Sequence, residues 1–235
     1  MNELWKVMSQ VFKSPVPLVC GEVALYFAIS LQPLELPPTD VDPPGWDRRD
    51  ELWTIDELLG HYQADKREIT LFNRGIRHVA GKLQADPEVV KYLVRIHEYA
   101  HAVFHIGVDR TTSARLAEAY VKGNPALERD TASALTAAYS SVDTFVHEQI
   151  AQLVTILALK GLELKASGCA AKTACTALSQ TFEKLMRRQP PQYRLDGLAH
   201  LKPDKLRNRL RAFISLTRSG DVRATRRSWD TLMFW

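Results

Sequence analysis

His97-Glu98-Tyr99-Ala100-His101 is the stretch of this chain whose residue types and spacing point most directly to chemistry. It has the form H-E-x-x-H. On a helix, residues four apart share one face, with Cβ atoms ~5–6 Å apart. The imidazoles of His97 and His101 can therefore converge on one Zn²⁺ at bond lengths of ~2.0–2.1 Å. Glu98 lies one position along, so it leans over the metal instead of ligating it. There it can take a proton from a water whose pKa zinc lowers to ~7. The competing explanation is a pair of packing histidines on an amphipathic helix.

A catalytic zinc needs a third protein ligand and one open position. His105 continues the same stripe, but a helix rises ~1.5 Å per residue, which puts it ~12 Å along the axis from His97. Two donors on one zinc can be at most ~4 Å apart, so a straight helix cannot bring all three histidines together. Glu148 is the better candidate. It sits in His147-Glu148-Gln149-Ile150-Ala151-Gln152, within an apolar stretch, where an unpaired charge is costly to bury. Glu118, Glu128, Asp130 and Asp143 are the fallbacks. Gln152, one turn on from Glu148, could accept a hydrogen bond from the outer N–H of a ligating histidine. His147, ~100° around the helix from Glu148, is a candidate donor to a tetrahedral oxyanion. Tyr139, nine residues before Glu148, falls ~180° around a continuous helix and is set aside.

These side chains need elements to carry them. Glu68–Phe72 is short, β-branched and alternating, and predicts a strand. Ile76, Val79, Ala80 and Leu83 predict a helix over 73–83. Asp86-Pro87 opens a helix expected to run to Ile106. A further helix is expected over 111–121, then one long helix from Ala126 to about Leu159, one over 170–188 and one over 203–218. In the last, Leu206, Leu210 and Phe213 form the apolar face, and Arg207, Arg211 and Arg218 form a basic flank. Leu4–Phe12 could be a short helix, Leu18–Leu31 reads equally as helix or strand, and residues 56–61 suit a helical turn or two. Five prolines between Gln32 and Trp46 mark a linker.

The 235 residues carry 46% hydrophobic and 25% charged side chains, which excludes disordered and fibrous classes. No apolar run approaches the ~20 residues of a membrane span, and no secretory signal is visible. Three cysteines are too few for a disulfide scaffold, and a reducing cytoplasm is expected. Residues 187–235 hold 12 Lys/Arg against 4 Asp/Glu. A basic region of this kind could meet nucleic acid, but charge runs are usually solvated faces, and no nucleic-acid binding is expected.

The run His97 to His105, followed by Glu148-x-x-Ala151-Gln152, resembles the gluzincin branch of zinc metallopeptidases. Its pattern is similar to the ImmA/IrrE type, H-E-L-G-H-x-x-x-H followed by E-x-x-A-N. Tyr99-Ala100 replaces Leu-Gly, and Gln152 replaces the Asn. The resemblance covers about residues 66–160. It implies a zincin core, a short sheet lining a cleft, His97, His101 and Glu148 on Zn²⁺, and Glu98 as base. It also implies that His105 is a companion and not a ligand, and that the substrate is a cytoplasmic regulator in stress response or phage defence. The expected fold is α+β, mainly α. Residues 1–50 would form an N-terminal segment with the proline-rich linker, 51–165 the zincin-like core, and 166–235 a basic helical extension packed on it. The rival functions are a degenerate zinc protein serving as sensor or interaction module, and a nucleic-acid binder using the basic C-terminal region.

Overall fold

The computed structural model describes residues 33–195, together with 201–202, 204–206, 208–210, 212 and 227. The expectations for 4–12 and 18–31 and for Arg207, Arg211, Phe213 and Arg218 lie outside these residues.

The described chain is mainly helical with one small sheet. In order it runs β1 (Leu34–Glu35), a 3₁₀ turn (Trp46–Arg48), α1 (Ile55–Leu58), β2 (Gly60–Gln63), β3 (Glu68–Leu71), α2 (Asn73–Leu83) and α3 (Pro87–Gly107). Then follow α4 (Arg110–Val121), α5 (Pro125–Ser140), α6 (Thr144–Lys165), α7 (Cys169–Met186) and a second 3₁₀ turn (Pro191–Tyr193). The sheet order is β1-β3-β2, with β1 parallel and β2 antiparallel to β3. β3 is the strand that the alternation predicts. β2 corrects the reading of 56–61 as purely helical, because the chain leaves α1 after one turn and pairs Gly60 with Leu71 and Gln63 with Glu68. Arg67, at φ 56°, turns the hairpin back through the left-handed region.

Side-chain caps set the helix starts. Thr54 and Glu57 form a reciprocal capping box at α1. Asp86 accepts from Glu88 N, with Pro87 at the first position of α3. The single helix expected from Ala126 to Leu159 is instead two. Asp143 leaves helical geometry at ψ 131° and its carboxylate accepts from Phe145 N, so it caps α6. Asp143 is thereby accounted for as a cap.

α3 is the central element. It packs chiefly on α6 and also meets α2, α5, α7 and both hairpin strands. From Tyr92 to Gly107 nearly every residue is buried, the pattern of a helix surrounded on all sides. Leu178, Phe182 and Leu185 of α7, with Leu195, Leu206 and Leu210, join the same apolar cluster. Among the described residues no helix is long and apolar enough to cross a membrane.

α2 approaches the end of α1 closely because Gly75 has no side chain. A Cβ there would overlap the Leu58 carbonyl oxygen, which is backbone and cannot swing aside. Gly75→Ala should therefore destabilise the fold by ~1–3 kcal/mol. Gly81→Ala, on the same helix with nothing within 4 Å of its Cβ position, should stabilise it by ~0.5–1 kcal/mol through helix propensity. Urea denaturation of the two variants checks the contrast.

Candidate metal centre

Three elements aim donors at one point. α3 presents His97 and His101, α6 presents Glu148, and α1 presents Asp56. One ligand atom from each lies within 4.8 Å of the others. The Nε2 atoms of His97 and His101 are 3.1 Å apart. Glu148 Oε2 is 3.5 Å from His97 Nε2, and its Oε1 is 3.8 Å from His101 Nε2. Asp56 Oδ1 is 3.9 Å from His97 Nε2 and 3.6 Å from His101 Nε2. Donors around a tetrahedral zinc at ~2.0–2.1 Å stand about 3.4 Å apart. The cluster is thus close to the size of a zinc coordination shell.

Burial is nearly complete. His97, His101 and Glu148 are at most 2% exposed. Asp56 Oδ1 and Glu148 Oε2 have no hydrogen-bond partner. Buried polar atoms are normally paired, and a cation shared among them would supply what is missing. Two carboxylates and two neutral imidazoles balance the charge of one dication, and a mixed nitrogen–oxygen donor set suits zinc and its first-row neighbours.

The titration behaviour has the same cause. Burial pushes the Glu148 carboxyl up to about 7. Burial, then the charge of Glu148, holds Asp56 well above the usual carboxylate range. Burial lowers His97 to about 4 and takes His101 well below its ordinary value. Without a metal, burial favours the neutral form of each group in the cluster, imidazole and carboxyl alike.

Glu98 lies beside the cluster, fully buried, with both carboxylate oxygens unpartnered. Burial, then the charge of Asp56, raises its pKa well above the ordinary value. The start of β2 passes directly over it. A Cβ on Gly60 would sit 2.6 Å from Val94 Cγ1 and 3.0 Å from Glu98 Oε1, so the strand comes this close only because residue 60 is glycine.

His105 stands apart from the four donors, as helix rise requires. Tyr62 Oη is 2.8 Å from its Nδ1, and Thr136 Oγ1 is 3.3 Å from its Nε2. His147 Nε2 donates to the Val142 carbonyl at 3.1 Å, and its ring packs 4.1 Å from that of Tyr139. That nitrogen is engaged at the α5–α6 junction, which counts against an oxyanion role. Gln152 is fully buried near the site, yet neither its amide atoms nor His97 Nδ1 has a hydrogen-bond partner, so the expected support of a ligand by Gln152 is not made in this arrangement. Tyr139 supplies the support that is seen, with its hydroxyl 3.3 Å from His101 Nδ1. With Nε2 turned to a metal, Nδ1–H donates to that oxygen and fixes the tautomer.

Sequence reasoning missed Asp56 and set Tyr139 aside. Thr54-x-x-Glu57 is a legible capping-box signature, but nothing in spacing ties residue 56 to residue 97. Tyr139 was discounted on a continuous helix that Asp143 interrupts. Comparisons with protein-family models, curated proteins and solved structures return no match.

A zinc ion held by these donors would be lost in a definite order. Glu148→Ala should lose most bound zinc, His105→Ala should keep it, and Tyr139→Phe should weaken binding by ~10–100-fold. Metal analysis of the purified variants gives the order. Stability without metal should also depend on pH in a definite sense. The folded chain holds the Glu148 proton up to about 7, whereas an unfolded glutamate releases it near ~4.3. That contribution is lost as pH rises through about 7. His97, His105 and His147, each lowered to about 4, act oppositely and cost stability as pH falls below ~6.5. Asp56 and Glu98, held well above the ordinary carboxylate range by burial, keep losing stability above pH 7, where the histidines no longer oppose them, so the melting temperature in chelator should fall from about pH 7 to about pH 8, and saturating zinc should abolish that fall.

Proposed function

We propose that the chain is a zinc-dependent metallopeptidase of the gluzincin type, with His97, His101 and Glu148 holding the metal and Glu98 as general base. The observation that carries this reading is Glu98. A site that only held a metal for structure would have no use for an unpartnered carboxyl group, fully buried next to the ligand cluster. The sheet adds support, because β2 is an edge strand lying against α3, as expected of a strand lining a zincin cleft.

Zinc, when bound, supplies Lewis acidity, making water nucleophilic near neutral pH and polarising a carbonyl oxygen. The protein's part falls to its own side chains. Glu98 accepts a proton at a carboxylate oxygen as water attacks the peptide carbonyl, then passes it to the leaving amine. Its raised pKa suits the second role. The positive charge of a bound dication lowers it enough for the first. Tyr139 holds His101 in the tautomer that leaves Nε2 free to ligate.

The substrate class suggested by the resemblance is a cytoplasmic regulatory protein of stress response or phage defence. No membrane partner is proposed. Nucleic acid is not proposed either, since Leu206 and Leu210 of the basic region are buried in the common core. One observation favours the second reading, a metal protein without turnover: Asp56 is a fourth donor where a catalytic site keeps a position open.

Glu98→Gln separates the two. The variant should keep about one zinc per chain, because residue 98 is not a ligand, and should lose proteolysis by at least ~10². New protein N-termini in cells expressing wild type, compared with cells expressing the variant, would reveal the substrate. Near-normal cleavage by the variant would sink the peptidase mechanism.

A further inference from the structure

The four donors differ in one respect. His97, His101 and Glu148 are almost wholly enclosed, but the Asp56 side chain is 31% exposed while its Oδ1 is buried and unpartnered. Its Oδ1 faces the two imidazoles, 3.9 Å from His97 Nε2 and 3.6 Å from His101 Nε2, while part of the side chain remains open to solvent. Among the four, Asp56 is the donor between the cluster and water. It also neighbours Glu98, so it occupies the side of the cluster where a water held by both metal and base would stand.

We propose that Asp56 is a fourth protein ligand and that it closes the metal site in this form of the chain. A peptide can reach the metal only by displacing its carboxylate. This rests on the metallopeptidase reading and adds a latent state to it. The displacement is a rotation of the side chain. The backbone of α1 is pinned by Ile55 and Leu58, both fully buried, by the Thr54–Glu57 capping box, and by the Gly45 N–H donating to the Glu57 carbonyl at 2.6 Å. The exposed side of Asp56 leaves that rotation a path into solvent, which Glu148, 2% exposed, does not have. The same geometry explains how one site can present four donors and still carry a buried base: three donors belong to the metal permanently, and the fourth is exchanged.

The test uses the full chain loaded with Co²⁺, whose visible absorption reports coordination, with azide as the probe of an open position. Wild type should give the intense spectrum of a four-coordinate site and should not respond to azide. Asp56→Ala should take up azide with a spectral shift. It should also bind zinc at least ~10–100-fold more weakly in chelator competition, since a direct ligand costs no less than a supporting group. Asp56→Asn, which keeps the side-chain shape, covers the case in which the alanine variant fails to fold, and should shift in the same direction. Azide binding by wild type as readily as by the variants, or unchanged zinc affinity in both variants, overturns the fourth-ligand role alone. A wild type that holds neither cobalt nor zinc overturns the metallopeptidase reading as well. Loss of the Glu98→Gln effect with the Asp56 results intact overturns only that reading.

Discussion

Two buried carboxyl groups, two buried imidazoles and the half-buried carboxyl group of Asp56 meet at one point, and the rest of the structure is arranged around the cost of placing them there. Charge in such a place is neutralised or paired. Asp56, Glu98 and Glu148 are raised in pKa, and His97 and His101 are lowered, because burial favours the uncharged form of each. A dication reverses the balance for the carboxylates without penalising the neutral imidazoles. Binding of a metal by this cluster would couple to folding: groups that are costly to bury in the metal-free chain would become part of what holds α1, α3 and α6 together.

That cost explains the architecture. Enclosing such a cluster requires helices that are apolar on nearly every face, and α3 and α6 are of this kind. It also requires close backbone approach of the neighbouring elements. Gly60 lets β2 pass over Glu98, and Gly75 lets α2 press on the end of α1, which carries Asp56. Both glycines lie outside the motif, yet each decides whether an element that touches it can be in place. Beneath the cluster, a second set of polar groups is kept apart from the metal. Tyr62 and Thr136 occupy both nitrogens of His105, so this histidine is satisfied without joining the donors.

Local signals in the sequence were legible wherever one residue type had one cause. The Asp86-Pro87 start, the alternation of 68–71 and the apolar spacing of 73–83 each correspond to an observed element. The pairing of His97 with His101 followed from helical periodicity, and the approach of Glu148 followed from the cost of a lone buried acid. What escaped depended on tertiary placement. β2 has the sequence Gly-His-Tyr-Gln, which alternates in burial but holds only one large apolar residue to signal it, and it pairs along β3. β1 is only two residues long. Asp56 comes within 4 Å of His97 and His101 because α1 packs on β2 and β2 lies against α3, a placement no spacing in the chain encodes.

The break between α5 and α6 shows how one cap redistributes roles. Had the helix continued, Tyr139 would face away from Glu148, and His147 would be the nearer candidate for an auxiliary role. Asp143 instead ends the register: its carboxylate takes the Phe145 N–H and the chain changes direction at Ser141–Asp143. Tyr139 then arrives from α5 against His101, while His147 spends its Nε2 on the Val142 carbonyl at the junction. The two rings meet edge to face at 4.1 Å, so each limits the other's position. A single aspartate at a helix start thereby determines which group sits against the outer nitrogen of His101, a candidate metal ligand, and it does so from five residues before Glu148.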